Sequence, residues 1–349
     1  MNLSTNCRAR NVALTIKVKI YLRHPTPGWF SIERVVNTFM RELPEDIEGH
    51  LVRLRFPSRG IWNRLKTLAN YQSHESCVHH ISGDIHYIAL VLPRRYLVLT
   101  IHDLVCLESS AGIKRLILEW FWFRIPVKRA HVVTVVSEQT RKALIKLIPE
   151  AEHKVVVIPN PISSKFSPVK KNNSTAILHV GTTVNKNLER AATVAKRLSL
   201  PFLVLGKLTD SQHQLLTQLS LEYAVFTGLD DSEVPEVYAQ AGVLLFASLS
   251  EGFGMPIIEA QASGIPVITS NREPMRSVAG SGALLVDPES VDEMCDAVSR
   301  VLASEVLRKE LILEGFLNVK RFAASAAANS YAMLYRNVAS EEPKLDTIR

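Results

Sequence analysis

Short apolar, β-branched runs alternate along the chain with windows whose apolar residues recur every three or four positions. In the first half, residues 12–21, 50–55, 96–101, 132–136 and 154–158 predict strands. Between them, 30–43, 113–124 and 137–148 predict helices, the last capped by Ser137. After Ile158 comes a stretch rich in Pro, Ser and Asn that runs to Ser174 and predicts a linker. The alternation then restarts, with strands at 176–180, 202–205, 223–226, 243–247, 266–270 and 283–286. Helices are expected at 187–198, 211–219, 232–241, 255–263 and 290–303, and helical pattern continues through Leu334. The last ten residues are expected to fray. Regular strand–helix alternation implies parallel sheets with right-handed crossovers. The expected architecture is α/β, with two Rossmann-like domains facing a cleft. The expected boundaries are 1–165 for the first domain, 166–174 for the linker and 175–322 for the second. Residues 323–349 are expected to form a C-terminal helix and tail, the helix packing back on the first domain. Ligands in such sheets bind beyond the carboxyl ends of the strands.

A chain of 349 residues suits two domains, and 47% hydrophobic with 21% charged residues excludes a disordered protein. The net charge of +7 turns attention to anionic partners: nucleotide phosphates, nucleic acid or an acidic membrane surface. Nucleic acid uses that charge poorly here, because no recognition module or basic–aromatic platform is present. Cys7, Cys77, Cys106 and Cys295 show neither metal nor redox spacing, which predicts a reducing, cytoplasmic setting. No signal-peptide pattern opens the chain. No apolar run is long enough to span a bilayer, the best stretch being broken by Pro93-Arg94-Arg95 and His102-Asp103.

The chemistry gathers in SEGFGMPIIEAQASGIPVI, residues 250–268, just past an apolar strand. Pro256 suits a first helical turn and Gly264 a helix end. The amides around Gly254 to Ile257 then form a helix start that favours an anion, and the glycines admit a close backbone approach. Glu251 and Glu259 bracket this turn, and carboxylates accept two hydrogen bonds at once, as vicinal diols require. A polyol joined to a phosphate, a sugar nucleotide, fits this combination.

The stretch resembles the Glu-x7-Glu motif of the family 4, group 1 glycosyltransferases, retaining enzymes of GT-B fold. Further matches stand in the family's order: His179-Val180-Gly181-Thr182, Lys186-Asn187-Leu188, Phe226-Thr227-Gly228-Leu229, Val237-Tyr238-Ala239-Gln240-Ala241 and Leu284-Leu285-Val286-Asp287-Pro288. In the first half, Thr100-Ile101-His102-Asp103-Leu104, Val135-Val136-Ser137-Glu138 and Val157-Ile158-Pro159-Asn160 also match. The resemblance implies that Glu259 holds the ribose hydroxyls of the donor. It implies that Glu251 contacts the donor sugar, with the amides of Phe253 and Gly254 beside it. Lys186 would neutralise the diphosphate and His102 would reach the sugar from the acceptor-side first domain. Gly181 and Thr182 would form the first glycine turn of the donor domain. The implied donor is a UDP- or GDP-linked sugar acting as co-substrate, with no cofactor, and the acceptor is a glycan or a lipid-linked molecule. Arginines common in relatives are replaced by Thr182 and Asn185, which leaves the phosphate charge to Lys186, with Lys207 readable equally as its partner or as a solvated loop lysine. Arg276-Ser277 and Asn160-Pro161 also depart from the family pattern.

Weaker signals keep two readings each. Gly28 lies in a loop that approaches the diphosphate in the family, but a plain turn explains a single glycine as well. Asp84 and His86, unusually polar among apolar runs, are candidates for the acceptor hydroxyls or for an N-cap and a structural histidine. His79-His80 lacks metal-ligand companions and reads as strand surface. No Asp-x-Asp occurs, which agrees with chemistry that needs no metal. Residues 113–129 combine Trp120, Phe121, Trp122 and Phe123 with five basic residues, and predict either an anionic membrane contact or a core helix with snorkelling ends. Three rivals to sugar transfer remain at this level. A glycosidase using Glu251 and Glu259 leaves the helix amides idle. A dinucleotide dehydrogenase lacks its Gly-x-Gly-x-x-Gly turn. A catalytically silent sugar-nucleotide-binding subunit would share every motif.

Overall fold

Two six-stranded sheets, every strand pair parallel, carry the chain. The computed structural model describes residues 15–25, 31–58, 60–71, 73, 77–108, 110–168 and 173–340. The first sheet contains β1 (Ile16–Leu22), β2 (Ile47–Arg53), β3 (Val78–Ser82), β4 (Leu97–Ile101), β5 (Val132–Val135) and β6 (Val155–Val157), in the order β2-β1-β3-β4-β5-β6. Its helices are α1 (Ser31–Met40), α2 (Ile61–Asn70), α3 (Val105–Glu108), α4 (Gly112–Leu118), α5 (Ile125–Arg129) and α6 (Glu138–Leu147). The second sheet contains β7 (Ile177–Val180), β8 (Phe202–Leu205), β9 (Tyr223–Phe226), β10 (Val243–Phe246), β11 (Val267–Ser270) and β12 (Ala283–Val286), ordered β12-β11-β10-β7-β8-β9. Around it lie α7 (Leu188–Leu198), α8 (Asp210–Gln218), α9 (Val234–Tyr238), α10 (Met255–Ala262), α11 (Met275–Ala279), α12 (Val291–Ala303) and α13 (Glu305–Val319). These are two Rossmann-like α/β units, as the alternation predicts.

The central strands are apolar because both of their faces are covered. All of β4 and all of β10 are buried. The helices bury one stripe each: α7 turns Leu188, Ala191, Ala192, Val194 and Ala195 inward and leaves its charges outside. The carboxyl ends of β1, β3, β4, β7, β8, β9 and β10 all open on one cleft between the sheets. That places the loops after them, and the start of α10, where ligands meet open sheets.

The final helix, α14 (Ala324–Ser340), returns to the first sheet. Ala328, Tyr331, Ala332, Tyr335 and Val338 pack with Val18, Ile20, Phe39 and Val78. The rings of Phe39 and Tyr331 stack with centroids 4.4 Å apart. Arg336 clamps Asp46 through two hydrogen bonds of 2.7 Å.

Several sequence expectations need correction. β3 and α2 are absent from the periodicity reading. His79 and His80 are not strand surface: both are fully buried on β3, an inner strand between β1 and β4. Their polarity is satisfied locally. Tyr21 Oη meets His79 Nδ1 at 2.9 Å, and His80 joins Tyr335 Oη at 2.7 Å and Thr100 Oγ1 at 2.6 Å. Thr100 continues the chain of contacts to Thr134 at 2.6 Å. The expected helix at 113–124 is two pieces, α4 and a π-helical turn (Glu119–Arg124), and α5 follows directly from the second. Its first piece has no buried residue, so the core-helix reading fails there. Residues 12–14, Phe30, Gly28 and the expected tail from 341 onward lie outside the described residues.

Candidate active site

Lys186 and Glu251 are brought together by two interlocked turns on the second-sheet side of the cleft. Gly181 follows β7 with φ +89°, and its bare Cα lets the Lys186 stem lie across it; a Cβ there would sit 2.9 Å from Lys186 Cε. Asn187 follows in the left-handed region (φ 63°) and its Nδ2 donates to the carbonyls of Ala247 (3.0 Å) and Pro288 (2.7 Å). Asn185 Nδ2 donates to the Ser250 carbonyl at 2.9 Å, and the Leu249 amide donates to the Asn185 carbonyl at 2.8 Å. With the turns fixed, Lys186 Nζ donates to Glu251 Oε1 at 2.6 Å and stands 5.1 Å from the centre of the Phe246 ring. The pair is largely shielded, with side chains 20% and 11% exposed.

Glu259 sits deeper, on α10, and is 4% exposed. Tyr238 Oη donates to its Oε2 at 2.6 Å and Arg34 Nη1 donates to its Oε1 at 2.6 Å. Arg34 comes from α1, on the opposite wall, and also pairs with Asp231, which Lys165 joins at 2.7 Å. Burial alone would lower the Arg34 pKa, but the Glu259 and Asp231 carboxylates outweigh it and hold it above its ordinary value. Burial, followed by the neighbouring Glu259 charge, pushes the Tyr238 phenol well above its usual range. Each Glu259 oxygen keeps a second lone pair beyond these contacts, so a diol can still be accepted there.

The facing wall carries His102 at the end of β4, with Nε2 3.4 Å from Ser82 Oγ. Desolvation lowers its pKa to about 4, against an opposing pull from Asp84, so its imidazole is neutral at physiological pH. Burial likewise raises the Asp103 carboxyl. Arg23 is held by Glu33 through hydrogen bonds of 2.9 and 3.0 Å and stands 3.8 Å from Asp84. The two walls touch at Gly252. Its carbonyl accepts from Ser137 Oγ (2.8 Å) and Thr140 Oγ1 (3.2 Å), and a Cβ at this position would lie 2.1 Å from the His102 carbonyl oxygen.

The cleft measures about 820 Å³. Glu251, His102, Lys186, Glu259, Phe253, Gly254, Gly181, Thr182, Lys207 and Asp84 all line it. Lys207 is exposed, and its carbonyl accepts from Thr182 Oγ1 at 2.7 Å. Phe253 contributes backbone more than ring, since its side chain is 5% exposed and packs edge-on against Phe322. Two expectations are corrected. His86 does not line the cleft: it is buried, with Nδ1 2.8 Å from the Trp122 carbonyl and its ring against Phe123, which fits the structural-histidine reading and not the acceptor one. The amide cradle of α10 is also shorter than expected. The Ile257 N–H already donates to the Gly254 carbonyl (3.0 Å) and Pro256 has no N–H, which narrows the seat to Gly254 and Met255. Among the described residues, no three His, Cys, Asp or Glu side chains gather as metal ligands.

Sequence reading missed Arg34, Arg23 and Asp231, which sit among ordinary surface-type residues and give no local signal. Tyr238 and Gly252 were within quoted motifs, but their tasks depend on contacts distant in sequence.

The sequence matches two family profiles in succession: Glycosyltransferase Family 4 over residues 34–166 and Glycosyl transferases group 1 over 162–316. The chain belongs to the family 4, group 1 glycosyltransferases. The O-antigen chain mannosyltransferase B of Escherichia coli is 25% identical to this glycosyltransferase over 329 residues, covering 85% of this chain and 82% of its own. The Salmonella typhimurium O-antigen chain mannosyltransferase RfbU is 29% identical over 222 residues, covering 58% and 62% respectively. Among solved structures, Anabaena HepE in complex with UDP and glucose superposes with a TM-score of 0.73 at 14% identity, covering 92% of this chain and all of its own. WaaG, a glycosyltransferase involved in lipopolysaccharide biosynthesis, gives 0.67 at 14% identity, with 91% and 99% covered. Such neighbours share the GT-B arrangement of this glycosyltransferase, whose cleft runs between the two profiles' territories.

Proposed function

We propose that this glycosyltransferase moves a hexose-type sugar from a nucleotide-diphosphate donor to a glycan or lipid-linked acceptor. The transfer retains configuration at the sugar carbon, needs no metal ion, and serves polysaccharide or glycolipid assembly. The observation that carries this reading is the Lys186–Glu251 pair, 2.6 Å apart beside the start of α10. With the Gly254 and Met255 amides it brings one fixed cation, two helix-start amides and a carboxylate to one wall of the cleft.

A donor diphosphate competes with Glu251 for Lys186. Once the ammonium turns to phosphate, Glu251 is free to accept from the sugar hydroxyls. Glu259, shaped by Tyr238, takes the ribose. The neutral His102 imidazole donates or accepts one hydrogen bond at the sugar without adding charge. The acceptor hydroxyl then bonds to the sugar carbon as the carbon–phosphate oxygen bond breaks, and its proton passes to the departing diphosphate. Negative charge grows on that leaving group, so Lys186 and the Gly254 and Met255 amides bind it more strongly in the transition state than in the ground state. Relatives named as O-antigen mannosyltransferases support the polysaccharide setting, and neighbours crystallised with UDP and UDP-glucose support a nucleotide-sugar donor.

Calorimetry with UDP, GDP, ADP and their sugar conjugates, with and without EDTA, tests the reading. One nucleotide diphosphate should bind in the micromolar range, indifferent to EDTA, and more weakly in Glu259→Ala. Binding that EDTA abolishes overturns the metal-independent mechanism; binding to none of the nucleotides overturns the donor assignment.

A further inference from the structure

Two neighbouring segments on the first sheet's side display an apolar, tryptophan-bearing surface that sugar transfer does not use. On α2, Ile61, Trp62 and Leu65 are 68%, 75% and 49% exposed. On α4 and the π-helical turn, Ile113, Leu116, Ile117, Trp120 and Phe121 are each more than half exposed. Half of the large apolar side chains exposed among the described residues fall in these two short stretches. The segments are joined directly: the Arg64 guanidinium of α2 lies 4.6 Å from the Trp122 ring centre, and Trp122 leans on Tyr87 with centroids 5.4 Å apart.

Charge follows the same segments. Residues 61–70 and 112–129 contain Arg64, Lys66, Lys114, Arg115, Arg124, Lys128 and Arg129 against one carboxylate, Glu119. Arg124 already holds that carboxylate at 2.6 Å. Lys66, Lys114, Arg115 and Lys128 are exposed. Exposed apolar side chains interspersed with cations on the same segments, with indoles that are apolar in body and polar at one edge, suit the boundary between lipid headgroups and acyl chains. An apolar protein partner would use the hydrophobic patch and leave the cations unmatched.

We infer that α2, α4, the π-helical turn and α5 together form a docking surface for an anionic lipid bilayer. Trp62 and Trp120 enter the interface, and Lys66, Lys114 and Lys128 meet the headgroups. The surface is tied to the cleft. His102 and Asp103 lead straight into α3 and then α4, and Arg115 Nη1 donates back to the Leu107 carbonyl at 3.3 Å. A lipid-linked acceptor would therefore reach the His102 wall from the membrane plane. The docking surface rests on exposure and charge alone and stands whether or not the donor reading does.

The full chain is mixed with phosphatidylcholine vesicles containing or lacking phosphatidylglycerol, and bound protein is separated by flotation. Binding should be at least about tenfold stronger with the anionic lipid, weaken as salt rises, and blue-shift the tryptophan emission. Trp62→Ser/Trp120→Ser should lose about tenfold, as should Lys66→Glu/Lys114→Glu/Lys128→Glu, with thermal unfolding unchanged because every altered side chain is exposed. Equal affinity for neutral vesicles, no binding to either, or full binding by the tryptophan variant overturns the inference. A dimer in size-exclusion chromatography that the tryptophan variant dissolves also overturns it, by assigning the face to a second copy.

Discussion

Arg34 of α1 donates to Glu259 of α10 across the cleft, nitrogen to oxygen 2.6 Å, so the first helix of one half is bonded to the signature helix of the other. The glutamate that the motif assigns to a ligand is thus also a structural anchor.

Removing Arg34 leaves the Glu259 carboxylate, with a side chain 5% exposed, supported only by the Tyr238 hydroxyl. Breaking one side of such a buried pair costs about 3–5 kcal/mol. Arg34→Ala should therefore lower the urea midpoint strongly, and Arg34→Lys should recover only part of the loss, because an ammonium cannot fork between Glu259 and Asp231. Combining Arg34→Ala with Glu259→Gln should cost less than the two changes added together. Strict additivity in urea titrations would show that the two residues do not act as a pair.

Lys186→Met keeps the stem over Gly181 and removes the charge. On the proposed mechanism kcat should fall by about 10²-fold or more, the loss typical of deleting one charge-stabilising donor. Glu251 then loses its cation in a largely shielded pair, so the melting temperature should fall as well, and rates are compared well below it. Steady-state kinetics with the donor identified by calorimetry measure this; a kcat within twofold of the parent removes Lys186 from the chemical step.

Gly252→Ala places a methyl group 2.1 Å from the His102 carbonyl oxygen and 2.9 Å from Asp103 Cβ. A backbone atom cannot swing aside as a flexible side chain does, so the walls must separate. The overpacking costs at least about 1–3 kcal/mol, and kcat/KM should fall by more than tenfold as the His102 wall leaves the Glu251 wall. Unchanged kcat/KM at saturating temperature control would mean that the observed approach of the walls is not the working one.

Three buried histidines give the protein an acid limit. Burial is the main cause for each, taking His80 down to about 3 and His102 and His179 to about 4, from an ordinary 6.5. The unfolded chain binds protons below pH 6.5 that the fold refuses. Stability should therefore be level above that pH and fall as the pH drops from 6.5 toward 4, by up to about 1.4 kcal/mol per pH unit for each group. His80→Gln should flatten this slope while costing stability at neutral pH, through the altered contacts to Tyr335 and Thr100. Urea unfolding at pH 8, 6, 5 and 4.5 follows the curve; a flat profile over that range contradicts the assignment of buried neutral rings.

The second sheet was legible almost residue by residue because β8, β9 and β12 are apolar runs closed by glycine or polar turns. β3 was not, because its middle is His79-His80 and pattern alone cannot show that Tyr21, Tyr335 and Thr100 satisfy two imidazoles. α2 was overlooked although Ile61, Leu65 and Leu68 recur at helical spacing: it is short, only Leu68 of the three packs on the core, and Ile61 and Leu65 stay exposed. The Glu-x7-Glu loop announced itself through glycines, a proline and paired carboxylates in one short stretch. Arg34 could not, since its meaning arises from a partner 225 positions away. His86 kept two readings, because a polar residue between apolar runs can serve a ligand or the core, and the Trp122 carbonyl beside it fits the structural one.

The helix that seals the first sheet is α14, and 255 positions separate His80 from the Tyr335 hydroxyl that caps it. A ribosome must translate the entire second half before that lid exists. The nascent first half emerges with α1 alone over that face of β1 and β3, and waits for the far end of the message before its core can close.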